Sequence, residues 1–231
     1  MEKAPARKKV LTSAGVKGGR PPRSAAGEVE ERILDAARKV FLERGFEGAT
    51  IDEIAEAARS GKPTIYARFP NKQALFAAAF ARFISSKHSQ LESYTPEGDT
   101  IEKRLESIGE TLLQKALTSD AVGLCRLAIA EARRFPELGS SVIGMARERG
   151  TEIVARLLSE ASHSGELGVL SAFNAETVLT TARHFCDLIL LPLFIRALAG
   201  ESLEALHSEI RPHVAKRAGF FLAACRHLNV H

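Results

Sequence analysis

Nine residues, Gly61-Lys62-Pro63-Thr64-Ile65-Tyr66-Ala67-Arg68-Phe69, are punctuated at both ends so that only about two helical turns fit between. Gly61 or Ser60 can cap the start. Pro63 suits a first turn, where a missing N–H costs nothing, and Pro70 disfavours helical geometry at Phe69. Isolated helices shorter than about 12 residues are marginal in water, so this one must be held by its neighbours. Ile65 and Phe69, four apart, share the face that turns to a core. Lys62, Thr64, Tyr66 and Arg68 occupy the rest; all four can hydrogen-bond and two are cationic.

The residues before it supply the support. Thr50-Ile51-Asp52-Glu53 reads as a capping box and starts another helix, with Ile51, Ile54, Ala55 and Ala58 at helical spacing. Arg59-Ser60-Gly61 makes a short break between the two. Two short helices joined this way are helix-turn-helix arithmetic, in which the second helix enters the DNA major groove and the first crosses the backbone.

The chain has 231 residues, 45% hydrophobic and 26% charged, the balance of a globular protein with a real core. Runs of Ala, Leu, Glu and Arg without strand alternation or hairpin signals predict an all-α fold. Cys125, Cys186 and Cys225 lie far apart in apolar contexts and read as buried small hydrophobes of a reducing cytoplasm. The longest apolar run, Leu188 to Leu198, is interrupted by Pro192 and Arg196 and falls short of the roughly 20 residues of a membrane span. The expectation is a soluble, cytoplasmic protein without a membrane partner.

Charge is unevenly placed. Residues 1–26 carry Lys3, Arg7, Lys8, Lys9, Lys17, Arg20 and Arg23 against Glu2 alone, a surplus of six, whereas the whole chain is only +4, which leaves the remainder at −2. This arm has no periodicity and is expected to be disordered in isolation. Within it, Gly18-Gly19-Arg20-Pro21-Pro22-Arg23 resembles an AT-hook core, with glycines for close approach and arginines suited to a narrow minor groove. The alternative is a solvated leader.

From Glu28 to Arg44, Ile33, Ala37, Val40 and Phe41 make an amphipathic helix that Gly45 ends, with Phe46 folding back on it. The stretch Phe41 to Phe76 resembles the TetR (tetracycline-repressor-like) family of bacterial regulators. The likeness rests on Phe41, Gly45, Phe46, Thr50, Ile54, Ala55, Thr64, Ile65, Tyr66, Phe69, Lys72, Ala74 and Leu75. One departure is the turn, commonly Gly-Val-Ser in the family and Arg59-Ser60-Gly61 here. By resemblance, Lys62, Pro63 and Tyr66 face base edges, and Thr50, Thr64, Arg68 and Lys72 grip phosphates. The chemistry agrees in part: lysine donates to guanine O6 and N7, and a proline or tyrosine ring can touch a thymine methyl. Lys72, in a first turn after the Asn71 cap, opposes the helix dipole and wants an anion, which a phosphate supplies.

The expected organisation is a basic arm over 1–26, a helix-turn-helix head over 27–75 and a helical ligand-binding and dimerisation domain over 76–231. In the last, helices are expected to about Leu91, from Asp99 or Thr100, from Ser119 or Asp120 through Phe135, and from Glu137 to Ser162. Further ones are expected from Ala175 to Ala199, from Ser202, and from Pro212 to Arg226. Leu179, Ala182, Phe185, Cys186, Ile189, Leu190, Leu193, Phe194 and Ala197, with Val214, Ala218, Phe221, Leu222 and Cys225, read as a homodimer surface.

No catalytic motif, cofactor site or metal spacing stands out, and the chain is not expected to be an enzyme. The histidines read as surface or interface residues, and the charged face Arg126, Glu131, Arg133 and Arg134 as pairing within one helix. By resemblance, the C-terminal helices enclose an unknown small-molecule effector. Candidate walls are Phe80, Phe83, Leu105, Ile108, Leu112, Leu127 and Phe185, with His184 and Asp187 as polar anchors. The function expected is a DNA-binding transcriptional regulator, a homodimeric repressor released from a palindromic operator in double-stranded DNA by its ligand. The alternative is a helical enzyme or carrier whose basic leader binds nucleic acid without specificity.

Overall fold

The computed structural model describes residues 23–92, 94–163 and 171–227. Among them are nine α-helices, one 3-10 turn at Ser171–Phe173 and no strand. The helices are α1 (Arg23–Gly48), α2 (Ile51–Ala57), α3 (Lys62–Tyr66), α4 (Lys72–Glu92), α5 (Ile101–Ala116), α6 (Ser119–Glu131), α7 (Pro136–His163), α8 (Val178–Leu198) and α9 (Leu203–His227). The arm through residue 22, Arg20 included, lies outside the described residues, as does the turn expected after His163. Helix α1 starts at Arg23, so residues 23–26, expected in the arm, are helical.

Gly45 takes φ 73°, ψ 173° and bends α1 there, a conformation that only glycine reaches without strain. The bend brings Phe46 back so that its ring stacks on Phe41 at 5.8 Å, while Phe76 of α4 meets both rings edge-on at 5.1 and 5.6 Å. Each such aromatic contact adds about 0.5–1.5 kcal/mol beyond area burial. With Ile33, Ile54, Ile65, Leu75 and Phe80 these rings form a first core. The expected boundary at Leu75 does not divide that core, since Phe76, Phe80 and Phe83 of α4 and Leu124 and Ala128 of α6 belong to it.

A second core lies among α5, α7, α8 and α9, around Leu105, Ile108, Leu113, Val154, Leu158, Phe185, Ile189, Val214 and Phe221. Phe194 and Leu198, near the end of α8, pack against both cores. Buried Gly109 lets α5 approach α9: a Cβ there would stand 2.8 Å from Val214 Cγ1.

Several local expectations are corrected. Helix α6 starts at Ser119 as expected, with Thr118 as its cap, the hydroxyl accepting from Ala121 N at 3.3 Å, but it ends at Glu131 and not at Phe135; of the two caps offered for α5, Thr100 is the one used. The helices expected from Ser202 and from Pro212 are one helix, α9, running through Pro212. Pro212 is exposed, so the Ser208 carbonyl that loses its partner lies on the wet side of the helix. Pro192 is likewise inside α8, and Val178–Ala199 is long and apolar enough to cross a membrane by length and composition alone. The expectation rested on the run from Leu188 to Leu198 alone, whereas helix α8 already begins at Val178. Most of the residues expected at a dimer surface are instead buried within the subunit, Ala182, Phe185, Cys186, Ile189, Leu193 and Ala197 of α8 among them, because α7 and α9 flank α8 and cover that face. On α8 and α9 the large apolar side chains left exposed, among the described residues, are Leu179, Leu191, Ile195 and Phe220, the last at 67%.

Candidate nucleic-acid interface

Thr50 opens α2 with the expected capping box: its hydroxyl oxygen accepts from Glu53 N at 3.2 Å, and the Glu53 carboxylate accepts from Thr50 N at 3.1 Å. The turn that follows solves the departure noted above in an unusual way. Arg59 itself adopts φ 49°, the left-handed geometry usually left to glycine, and Ser60 N donates to Ala55 O at 2.9 Å, closing α2. Gly61, extended at φ −77°, ψ 145°, is the N-cap of α3, and Pro63 falls within its first turn. Ser60 takes neither role.

Only five residues of α3 are fully helical, and Ile65 (0% exposed) and Phe69 anchor them in the first core. Lys62, Pro63 and Tyr66 all lie exposed on the opposite side, Tyr66 by 52%. These three, which the sequence reading assigned to base edges, therefore share one solvent-facing surface. The expected phosphate-gripping residues are placed less uniformly. Thr50 is exposed but its hydroxyl is within 3.0 Å of a Glu53 carboxylate oxygen, and Thr64 is half-buried. Arg68 donates from Nη1 to Thr64 O at 3.1 Å and reaches Glu30 of α1 at 3.9 Å.

Lys72 departs furthest from expectation. Its ammonium does not wait for an external anion: it donates to the carbonyls of Glu47 at 3.2 Å and Ala49 at 3.1 Å, and sits 4.8 Å from the centre of the Phe46 ring. Carbonyls left open at the end of a helix carry partial negative charge, and those following the α1 bend provide the compensation assigned above to phosphate. Asn71 does cap α4, its side-chain oxygen accepting from Ala74 N at 2.8 Å. Asp52, passed over in the sequence, forms an ion pair with Lys62 across α2 and α3; its position in the first turn of α2 was the available signal.

Helix α6 ties this surface to the rest of the subunit. Arg38 of α1 pairs with Asp120, Arg134 beyond α6 pairs with Glu47, and a Cβ on Gly123 would touch Leu42. At its other side Arg126 donates to the Ala197 and Leu198 carbonyls at 2.6 and 3.1 Å, capping α8. Of the charged face expected to pair within its own helix, Arg126 and Arg134 thus bond to other helices instead.

The expected effector walls do not come together. Phe80, Phe83 and Leu127 pack in or on the first core, whereas Leu105, Ile108, Leu112 and Phe185 are packed in the second. His184 is exposed, and Asp187 accepts from Arg147 Nε of α7 at 3.0 Å. A cleft of about 350 Å³ opens elsewhere, between Tyr94–Pro96 and Ile153, Arg156, Leu157 and Glu160 of α7. No periodicity signals it, because loop residues and one helix edge make it jointly.

A short helix held by a capped partner, offering lysine, proline and phenol to solvent, on an all-helical body, defines a helix-turn-helix DNA-binding regulator. Comparisons with known proteins carry this to a family. The model for bacterial regulatory proteins of the tetR family matches residues 33–79, and the model for the C-terminal domain of AefR-like transcriptional repressors matches residues 103–226, more than half of the chain. The chain belongs to the tetR family. Its relatives include YvkB of Bacillus subtilis, an HTH-type transcriptional regulator 32% identical over 144 residues, which are 62% of this chain and 71% of that one. The repressor ComR of Escherichia coli K12 is 40% identical over 61 residues, 25% of this chain and 29% of its own. Among solved structures, a TetR-family regulator of Mesorhizobium loti shares the fold at TM-score 0.73 with 24% identity, over 88% of this chain and 98% of its own. The flavonoid-responsive regulator FrrA does so at 0.62 with 28% identity, over 86% and 97%. The protein is a transcriptional regulator of this family, and its relatives are regulators, not enzymes.

Proposed function

We propose that the protein is a cytoplasmic repressor that binds an inverted-repeat operator as a homodimer and leaves it when a small molecule binds. The observation that carries this is the exposed edge of α3: Lys62, Pro63 and Tyr66 stand in solvent while Ile65 and Phe69 fix the helix beneath them. Lysine and the two rings supply a donor for guanine and apolar contact for thymine. Lys62 exchanges Asp52 for a base edge on docking, so the carboxylate tunes discrimination instead of adding affinity.

A second copy supports the inverted repeat, since a two-fold dimer presents two heads to two half-sites. The apolar side chains that the subunit leaves uncovered on α8 and α9, Leu191, Ile195 and Phe220, suit that copy. Release follows if the effector favours one arrangement of α6, which bonds to α1 on one side and to the end of α8 on the other. A ligand shifts an equilibrium only by its differential affinity for the two states. FrrA, the flavonoid-responsive neighbour, supports a small organic effector in kind.

The test is to select genomic DNA fragments with the purified chain and measure binding to the recovered consensus. An inverted repeat is expected, and Tyr66→Ala is expected to flatten the preference among half-site variants with a smaller loss on unrelated DNA. Selection of no repeated half-site, or unchanged preference in the variant, overturns the assignment.

A further inference from the structure

The cleft beside α7 has no part in the account above, and two kinds of residue build it. Ile153 and Leu157, exposed by only 5% and 4%, make its floor, and Tyr94 and Pro96 of the loop after α4 make the facing wall. Tyr94 Oη lies 2.5 Å from Ser107 Oγ of α5, and the same serine oxygen accepts from Glu97 N at 3.1 Å. With its hydroxyl engaged there, Tyr94 offers the cleft a ring and not a polar tip, and the loop wall is held in place before any ligand arrives.

Charge is confined to the rim. Arg156 and Glu160, one turn apart on α7, stand exposed at the edge of the cleft. Neither has a hydrogen-bond or ion-pair partner among the described residues, although Arg147 and Arg149 of the same helix are paired with Asp187 and Glu152. A cation four residues ahead of a glutamate is the weaker of the two orders on a helix, so both heads stay available to a third party. A guanidinium takes a carboxylate in a fork of two bonds, and a carboxylate accepts from a hydroxyl. Two groups placed para on one aromatic ring stand about as far apart as these two residues, roughly 6 Å along the axis. A dianion such as phosphate meets Glu160 as well as Arg156, so the rim suits a single negative charge. At about 350 Å³ the cleft lies at the small end of ligand sites, with room for one or two rings.

Resting on the reading of the protein as a ligand-released repressor, we infer that this cleft is the effector site and that its ligand is a hydroxylated aromatic carboxylate. The ring lies between Tyr94 and Pro96 on one side and Ile153 and Leu157 on the other, the carboxylate bonds to the Arg156 guanidinium, and the hydroxyl donates to Glu160. Helix α7 packs against both α4 and α6, and α4 runs from the loop wall back to Phe83, Phe80 and Phe76 in the first core. A ligand that resets the spacing of the two walls therefore acts on the helices that seat the reading head. By reciprocity, operator binding lowers affinity for the ligand by the same factor.

The test uses the full-length chain, with 4-hydroxybenzoate and 4-hydroxycinnamate as probes and calorimetry in the absence of DNA. Saturable binding of at least one acid is expected, weaker by about tenfold or more for its methyl ester. Arg156→Gln is expected to remove the difference between acid and ester, and Glu160→Ala to remove the difference between the acid and its counterpart without the hydroxyl. Both side chains are exposed and unpaired, so the variants are expected to keep the wild-type melting midpoint. Saturating acid is expected to weaken binding to the operator recovered above by about tenfold. No binding of either acid, equal binding of acid and ester, or a difference that survives Arg156→Gln overturns the site. Binding that leaves operator affinity unchanged overturns its role as the effector site. Failure of the repressor reading looks different: no inverted repeat is selected, yet calorimetry still distinguishes acid from ester through Arg156.

Discussion

Replacing Lys72 by Met tests the packing of the head most directly. Methionine keeps the length and apolar stem of the side chain and removes the ammonium, so what is lost is the pair of bonds to the Glu47 and Ala49 carbonyls and the contact with the Phe46 ring. Hydrogen bonds from a charged donor contribute about 1.5–3 kcal/mol, with the low end apt for a half-exposed group, and an exposed cation–π contact about 0.5–1. Against this stands the repulsion of a cation in the first turn of α4, about 0.3–1 kcal/mol, which the substitution relieves. With the two bonds of the one ammonium counted together, the net loss comes to about 1–2 kcal/mol. For a chain of this size that lowers the melting midpoint by roughly 2–8 °C. The assay is thermal and urea unfolding at fixed protein concentration without DNA, followed by operator binding as a function of salt. An unchanged midpoint refutes the carbonyl cradle. A salt slope flatter by about 0.9 shows that Lys72 also neutralises a phosphate in the complex, and an unchanged slope shows that its role is confined to the fold.

Two glycines offer opposite outcomes for one substitution. Gly109→Ala forces a Cβ to within 2.8 Å of β-branched Val214 in the second core, so an overpacking cost of about 1–3 kcal/mol exceeds the gain of about 1 in helix propensity, and urea unfolding is expected to show a loss. Gly123→Ala meets only the far end of half-exposed Leu42, which can swing away, and neutral or raised stability is expected; a loss above 1 kcal/mol contradicts this. Burial pushes the Cys125 thiol up to about 11 and Cys186 up to about 12, so an alkylating reagent at pH 7.5 is expected to spare both until denaturant is added. His213, whose Nε2 lies 2.8 Å from the Ile189 carbonyl, is held below 6.5 chiefly by burial; that bond and Glu209 oppose the shift, while Arg217 and Arg196 reinforce it. The unfolded chain therefore binds the extra proton, and the stability contributed by neutral His213 is complete above pH 6.5 and falls as pH drops below it. The urea midpoint is expected to fall more between pH 7.5 and 5.5 in the wild type than in His213→Asn, and equal falls count against the assignment.

The helix-turn-helix was legible because its signals are local. A threonine three residues before a glutamate, a proline in a first turn and two apolar residues four apart fix helix starts and faces whatever lies beyond. The effector walls were not legible for the opposite reason. Phe80 and Leu105 show the same helical spacing and the same apolarity, and nothing in that spacing says that one packs under α1 and the other under α9. Amphipathic patterning tells a core-facing residue from a wet one, but not which of two cores it serves, nor whether its neighbours leave a void.

Sequence alone determined that the chain is helical, that α3 cannot stand unaided and which of its sides meets solvent, since these follow from periodicity, capping and chain length. It also placed the excess positive charge ahead of the first helix. Tertiary structure decided where long side chains spend their charge and which apolar faces remain uncovered. Lys72 finds carbonyls 23 and 25 residues away, Arg126 caps a helix more than 70 residues on, and Phe185, Ile189 and Leu193 of α8 are buried where α7 and α9 flank it, while Leu191 and Ile195 stay exposed. Such pairings depend on distances between helices, and those are set only when the helices pack.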